Sequence, residues 1–162
     1  WRADHGAGVG WNTNTAKNGI IVNGDDVTIY ALMVEHYQEY QTIWNGENGR
    51  TYFYQSEIPY DVPSQAAWMS NGGTENGFAS YKVADHVNNH ETWGMGIYSY
   101  FRDAPVKLYN AVETPNKSGV KHHNTTTVWL AGDAASEITH IINDTGNAAV
   151  QGTEMRQTLA EY

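Results

Sequence analysis

The chain has 162 residues, with 9 Lys and Arg against 18 Asp and Glu, a formal net charge of −9, and no cysteine. That length can bury a core within one domain. The acidic balance argues against a surface built to neutralise a nucleic-acid backbone or an anionic membrane, and the lack of cysteine removes disulfides, thiolate metal sites and cysteine nucleophiles.

The chain opens on Trp1-Arg2-Ala3-Asp4-His5 without an initiator Met, which gives the expectation of a processed or truncated product. Gly6-x-Gly8-x-Gly10 has no strand and helix around it and does not read as a dinucleotide motif. Short β-rich runs then recur between Asn/Gly/Asp turns. Ile20-Ile21-Val22 leads into Asn23-Gly24-Asp25-Asp26, followed by Val27 to Val34, Gln41 to Trp44, the turn Asn45 to Gly49, and Thr51 to Gln55. Pro59 to Gly77, rich in Pro, Gly and Asn, reads as a long surface excursion of the kind that often has a function. Ser80 to Ala84, Met95 to Phe101, Thr126 to Leu130 and Glu137 to Ile142 are further strands. In Gln151 to Tyr162, Met155, Leu159 and Tyr162 stand at i, i+4 and i+7, so residues 151–162 are expected to form a short helical tail docked on a β-domain of residues 1–150. The runs at Val27 and Thr51 start 24 residues apart, which suits one coil of a parallel β-solenoid as well as successive hairpins. Periodicity leaves β-helix and β-sandwich open.

No run approaches the ~20 apolar residues of a membrane-spanning helix. Charged residues are only 17% of the chain, whereas 16 Gly, 15 Asn, 15 Thr and 20 aromatics form an unusual share. Neutral polar groups beside Trp and Tyr suit carbohydrate, whose C–H faces stack on rings while its hydroxyls take amides and carboxylates. Trp1, Trp11, Trp44, Trp68 and Trp93 are candidate platforms, although for any one of them packing is the commoner role. Glu35 and Glu57 each end a β run and stand 22 residues apart; in a solenoid of that coil length they would occupy neighbouring rungs of one face. A pair of carboxyl groups against aromatic walls is what glycoside hydrolysis uses, one keeping its proton as general acid, but paired turn carboxylates are also common. His86, His90 and Glu91 lack the helix and the His-Glu-x-x-His order of a zinc protease. His122-His123 is a bare pair, and Asp25-Asp26 reads first as a turn rather than as a calcium loop. Ser56 lacks a Gly-x-Ser-x-Gly context. Sequons at Asn116, Asn124 and Asn143 are what chance gives in so Asn/Thr-rich a chain.

Two runs are more specific. Val34-Glu35-His36-Tyr37-Gln38-Glu39-Tyr40-Gln41, and then Tyr52-Phe53-Tyr54-Gln55-Ser56-Glu57-Ile58-Pro59-Tyr60-Asp61-Val62-Pro63, resemble the C-terminal half of glycoside hydrolase family 55, the exo-β-1,3-glucanases or laminarinases, with its Glu-His-x-x-x-Tyr-Gln and Gln-(Ser/Thr)-Glu-x-Pro-Tyr runs. The resemblance covers most of residues 1 to 147. It implies an all-β, right-handed parallel β-helix and, in the whole enzyme, two such helices flanking a cleft. It also implies secretion and inverting, glucose-releasing hydrolysis of β-1,3-glucan without metal or organic cofactor. Carried over by position, Glu57 matches the general acid, Glu35 the second pocket carboxylate, and Trp1, Asp4 and His5 a stretch lining the pocket for the terminal glucose. A family member has several hundred residues, so the chain is expected to need an N-terminal β-helix segment as partner. The alternative is a non-catalytic solenoid that binds carbohydrate or assembles with copies of itself.

Overall fold

Whether the β runs form hairpins or a solenoid is decided by the direction in which neighbouring strands run. The computed structural model describes residues 1–162 and contains β1 (Ile20–Val22), β2 (Thr28–Met33), β3 (Thr42–Trp44), β4 (Gly49–Glu57), β5 (Met69–Ser70), β6 (Glu75–Asn76), β7 (Tyr81–Val83), β8 (His90–Phe101), β9 (Lys107–Glu113), β10 (Val120–Gly132), β11 (Glu137–Ile142) and β12 (Arg156–Glu161). One sheet has the order β1-β3-β7-β9-β11, the other β12-β10-β8-β4-β2. Every pairing in them is parallel except that of β12 with β10. Apart from β5 and β6, which pair with each other as a small antiparallel ribbon, successive strands alternate between the two sheets, so the chain winds as a β-solenoid. Of the two folds the periodicity allowed, the sandwich is excluded.

The turns hold the rungs together. Asn45 Nδ2 donates to Asn23 Oδ1 at 2.7 Å, the Glu47 amide to Asp25 Oδ1 at 2.8 Å, and Asn48 Nδ2 to Asp26 Oδ1 at 3.1 Å, each pair 22 residues apart. Asp26 and Asn48 have φ of 58° and 54°, a conformation that Asn and Asp tolerate best among non-glycine residues. Asp25-Asp26 is thus a stacked turn, as its sequence suggests. Glu47 reaches the next coil and accepts from the Asn88 and Asn89 amides at 2.9 and 3.0 Å.

A column of left-handed residues shapes the second sheet. Ala31, Phe53, Gly94 and Asn124 have φ of 54°, 62°, 70° and 56° and occupy the same register position in β2, β4, β8 and β10. Each strand bends there and its in–out alternation slips by one: in β4, Thr51 points inward, Tyr52 outward, Phe53 is exposed, and Tyr54 points inward again. On one side of the bend the outward row is a stack of Tyr30, Tyr52, Trp93 and His123, with ring centroids 5.1, 4.5 and 5.2 Å apart. On the other side lie Gln55, Glu57 and Tyr98.

Trp44, Trp68, Tyr54, Tyr81, Phe101 and Met95 fill the interior; full burial of side chains of this kind is worth about 1.5–3 kcal/mol each. Many of the polar groups inside are paired, as burial favours, although Trp44 Nε1, His90 Nδ1, Thr125 Oγ1 and Thr127 Oγ1 have no protein partner. The Tyr54 hydroxyl meets Thr42 Oγ1 at 3.1 Å and Ser80 Oγ at 3.0 Å, and Tyr81 meets Thr51 Oγ1 and His90 Nε2, both at 2.9 Å.

Three expectations change. The tail is not helical: β12 pairs antiparallel with β10, Leu159 opposite Thr125, because β10 offers a free edge of backbone donors and acceptors, whereas an isolated helix of a dozen residues is marginal. β9 was not expected at all; Lys107-Leu108-Tyr109-Asn110 alternates, but Ala111-Val112 are both buried, which blurs its period. The Pro59–Gly77 excursion is anchored rather than free: Ile58, Val62 and Trp68 are in the core, and Trp68 Nε1 donates to the Gln38 carbonyl at 2.9 Å.

Candidate functional site

Glu57 is the last residue of β4, and Glu35 lies two residues beyond β2 on the neighbouring rung. The ladder continues between them, with the Val34 amide donating to the Gln55 carbonyl at 3.1 Å and the His36 amide to the Glu57 carbonyl at 2.9 Å. The 22-residue spacing therefore does bring the two glutamates onto one face. Gln55 Nε2 donates to Glu35 Oε1 at 2.8 Å and fixes that carboxylate. Gln41, buried, bonds both the amide and the carbonyl of Tyr37 at 2.8 Å and so closes the loop that follows Glu35-His36.

Residues 1–5 cross the ends of these strands. The Arg2 amide donates to the Glu35 carbonyl at 3.1 Å. Its buried guanidinium forks onto both oxygens of Asp61 and also reaches the His36 carbonyl at 2.5 Å and the Asn14 carbonyl at 3.0 Å. Asp4 is buried as well. Its Oδ1 lies 2.7 Å from His5 Nδ1, and its Oδ2 accepts from the Tyr60 amide at 2.8 Å and faces His36 Nδ1 at 3.2 Å. Burial pushes the Asp4 carboxyl up, but the bonds from His36 and His5 and the charges of His36 and Arg2 outweigh it and leave the group below its ordinary range. The expectation that Asp4 lines the sugar pocket is modified accordingly: its carboxylate sits beneath the recess with both oxygens engaged.

The acid chemistry converges on Glu57. The Tyr60 hydroxyl donates to Glu57 Oε2, and His36 Nε2 lies 3.9 Å from the same oxygen. Burial raises the Glu57 carboxyl above its ordinary value, the charges of Glu35 and Asp4 raise it further, and His36 and His5 pull it down. The walls are rings: His5 stacks between Trp1 and Tyr60 at 5.8 Å from each, and His36 meets Tyr60 edge-on at 4.5 Å. Trp1 is 69% exposed and has a face free. Of the other candidate platforms, Trp44 and Trp68 are core residues, Trp11 packs near Arg2, and both faces of Trp93 are covered by Tyr52 and His123.

Asp4, His5 and His36 place one ligand atom each within 4.8 Å of one another, but the Arg2 guanidinium stands 4.0 Å from Asp4 Oδ2. With that cation adjacent and both Asp4 oxygens already committed, the cluster has the chemistry of a hydrogen-bond hub rather than of a cation cage. The other histidines are dispersed: His86 is on the surface, and His90 and His122 point into the interior, where burial pushes both imidazoles down to about 3. None of the surface recesses encloses Glu57 or Glu35; the nearest in register is a trough of about 430 Å³ running past Phe53, Gly96, Tyr98 and Arg156. His36, Tyr60, Arg2 and Asp61 had no assigned role from sequence, although the first two lie inside the glutamate motifs.

A parallel β-solenoid of this kind has the pectate lyase-like class of fold. Residues 1–57 match the LAM55 pectate lyase-like domain. The chain is 49% identical over its full length to an exo-beta-1,3-glucanase of Streptomyces sp. (strain SirexAA-E / ActE). It also superposes over its full length on the solved structure of sacteLam55A from Streptomyces sp. SirexAA-E, with a TM-score of 0.92 at 44% identity, and on a glutamate-to-alanine variant of that protein in complex with glucose, with a TM-score of 0.92 at 43% identity. The chain spans 26% of the length of the glucanase and 29% of the solved chains.

Proposed function

We propose that this chain is the acid-bearing solenoid of a secreted exo-acting β-1,3-glucanase, completed by a further β-helix segment that lies outside it, and that both solenoids wind right-handed, as parallel crossovers do. The observation that supports this most is the Glu57 carboxyl, which burial and the neighbouring Glu35 charge raise above its ordinary value while the Tyr60 hydroxyl donates to it. In the proposed step the Glu57 proton passes to the glycosidic oxygen as the C1–O bond breaks. Water adds to C1 from the opposite face and gives its proton to a base, released glucose being inverted at C1. Trp1 offers its free face to the terminal glucose, His5 backs that ring, and Glu35 is the second pocket carboxylate. The base belongs to the completing segment. No metal or organic cofactor is needed for these steps.

The test follows laminarin digestion by the longest natural form of the protein, with proton NMR of the first product. α-Glucose as the initial product supports the reading. β-Glucose overturns inversion, internal oligosaccharides overturn exo action, and intact laminarin with bound sugar points to the binding solenoid instead.

A further inference from the structure

We propose that His36, anchored by Asp4, is a positioning residue for Glu57, its ring holding the glutamate's carboxylate once the proton has left. The inference rests on the reading of Glu57 as the acid, and its primary test does not use turnover.

The ring is fixed on every side. His36 has φ of 67°, left-handed for a non-glycine residue, a strained conformation that persists only where the surroundings impose it. Here the surroundings are its own amide bonded to the Glu57 carbonyl, its carbonyl bonded to Arg2, and three rings around its imidazole, those of Trp1, His5 and Tyr60. The residue is 4% exposed. Its Nδ1 faces Asp4 Oδ2 at 3.2 Å without the alignment of a hydrogen bond. The Asp4 charge has no route to solvent and is spent on His36, His5 and Tyr60.

The opposite nitrogen faces Glu57 Oε2 at 3.9 Å, beyond hydrogen-bond length but within strong Coulombic range. Oε2 also accepts from Tyr60, which leaves Oε1 to carry the transferable proton. Burial, Glu35 and Asp4 all make that proton harder to release, and the facing His36 ring opposes them. The other charged or titratable groups facing the pair are Arg2 and His5 from the N-terminal segment, Tyr100 of β8 at 4.9 Å from the Tyr60 ring, and Arg102, which reaches the Asp4 carbonyl at 3.4 Å.

The experiment is a pair of NMR titrations, one following the ¹³C carboxyl of Glu57 in wild type and His36→Gln, the other the ¹⁵N imidazole of His36 in wild type and Glu57→Gln. Coupling between two sites is reciprocal. Glu57 is expected to bind its proton about tenfold more tightly without His36, and His36 about tenfold less tightly without Glu57, about 1.4 kcal/mol in each direction. A pocket merely loosened by substitution would not give equal and opposite shifts. Shifts in the same direction, or neither exceeding twofold, overturn the proposal. If His36→Gln does not fold, the Glu57→Gln arm decides alone, since Glu57 borders solvent. In the active protein His36→Gln is expected to move the alkaline limb of glucose release to higher pH. Reciprocal shifts without hydrolysis would refute the glucanase reading and leave the His36 coupling standing.

Discussion

Replacing Arg2 by Ala removes the buried cation that ties the N-terminal segment to Asp61 and to the His36 and Asn14 carbonyls. The guanidinium and the Asp61 carboxylate are each only 2% exposed, so the deletion leaves Asp61 buried and uncompensated, and with it two carbonyls lose their donor. Breaking a buried pair in this way costs roughly 3–5 kcal/mol, which for a chain of this size lowers the melting temperature by roughly 6–20 °C. Arg2→Lys keeps the charge but loses the fork and is expected to cost about 1–3 kcal/mol. Arg2→Met with Asp61→Leu removes both charges and is expected to be more stable than Arg2→Ala alone. Differential scanning calorimetry at pH 7 reads all three. A shift below 2 °C for Arg2→Ala, or a double variant less stable than that single one, would refute the reasoning.

Two further predictions concern the interior. His90 and His122, both pushed down to about 3 by burial, stay neutral in the folded chain and take protons on unfolding below about pH 6.5. Their contribution to stability is therefore complete above that pH and is lost as the pH falls toward 3, at up to about 1.4 kcal/mol per pH unit for each ring. Urea denaturation between pH 7 and 5 should show His122→Asn with a shallower slope than wild type, and an unchanged slope would count against buried neutral imidazoles. Among the glycines, a side chain at Gly49 collides with Trp44 Nε1 and His90 Nδ1, whereas at Gly94 it meets nothing but has φ of 70°. Gly49→Ala should cost more than about 2 kcal/mol and Gly94→Ala about 1 kcal/mol, and urea midpoints in the reverse order would contradict the packing described.

The β-rich runs and their Asn/Gly turns were legible because solenoid rungs repeat the same local chemistry, and the 22-residue spacing of Glu35 and Glu57 gave the correct rung relation. Strand direction was not legible in the alternation of residues, since parallel and antiparallel neighbours share it; the parallel β-helix came from the resemblance of the two glutamate motifs. The bend column escaped because its four residues, Ala31, Phe53, Gly94 and Asn124, share a conformation rather than a side-chain type. Leu159 and its neighbours gave a helical spacing that the free edge of β10 overrode. In the site, the glutamates could be read from their motifs, but Asp4, His36 and Tyr60 come together through a left-handed residue and a crossing N-terminal segment, which no sequence period records.

The central claim is that Glu57 supplies the proton to the leaving group. Its most direct test compares Glu57→Gln with wild type, in the longest natural form of the protein, on laminarin and on an aryl β-glucoside whose leaving group needs no proton. A general acid is worth about 10²–10⁴ in rate, so kcat on laminarin should fall by at least about 100-fold while the activated glucoside is hydrolysed within about tenfold of the wild-type rate. Equal losses on both substrates, or none on either, would contradict the account.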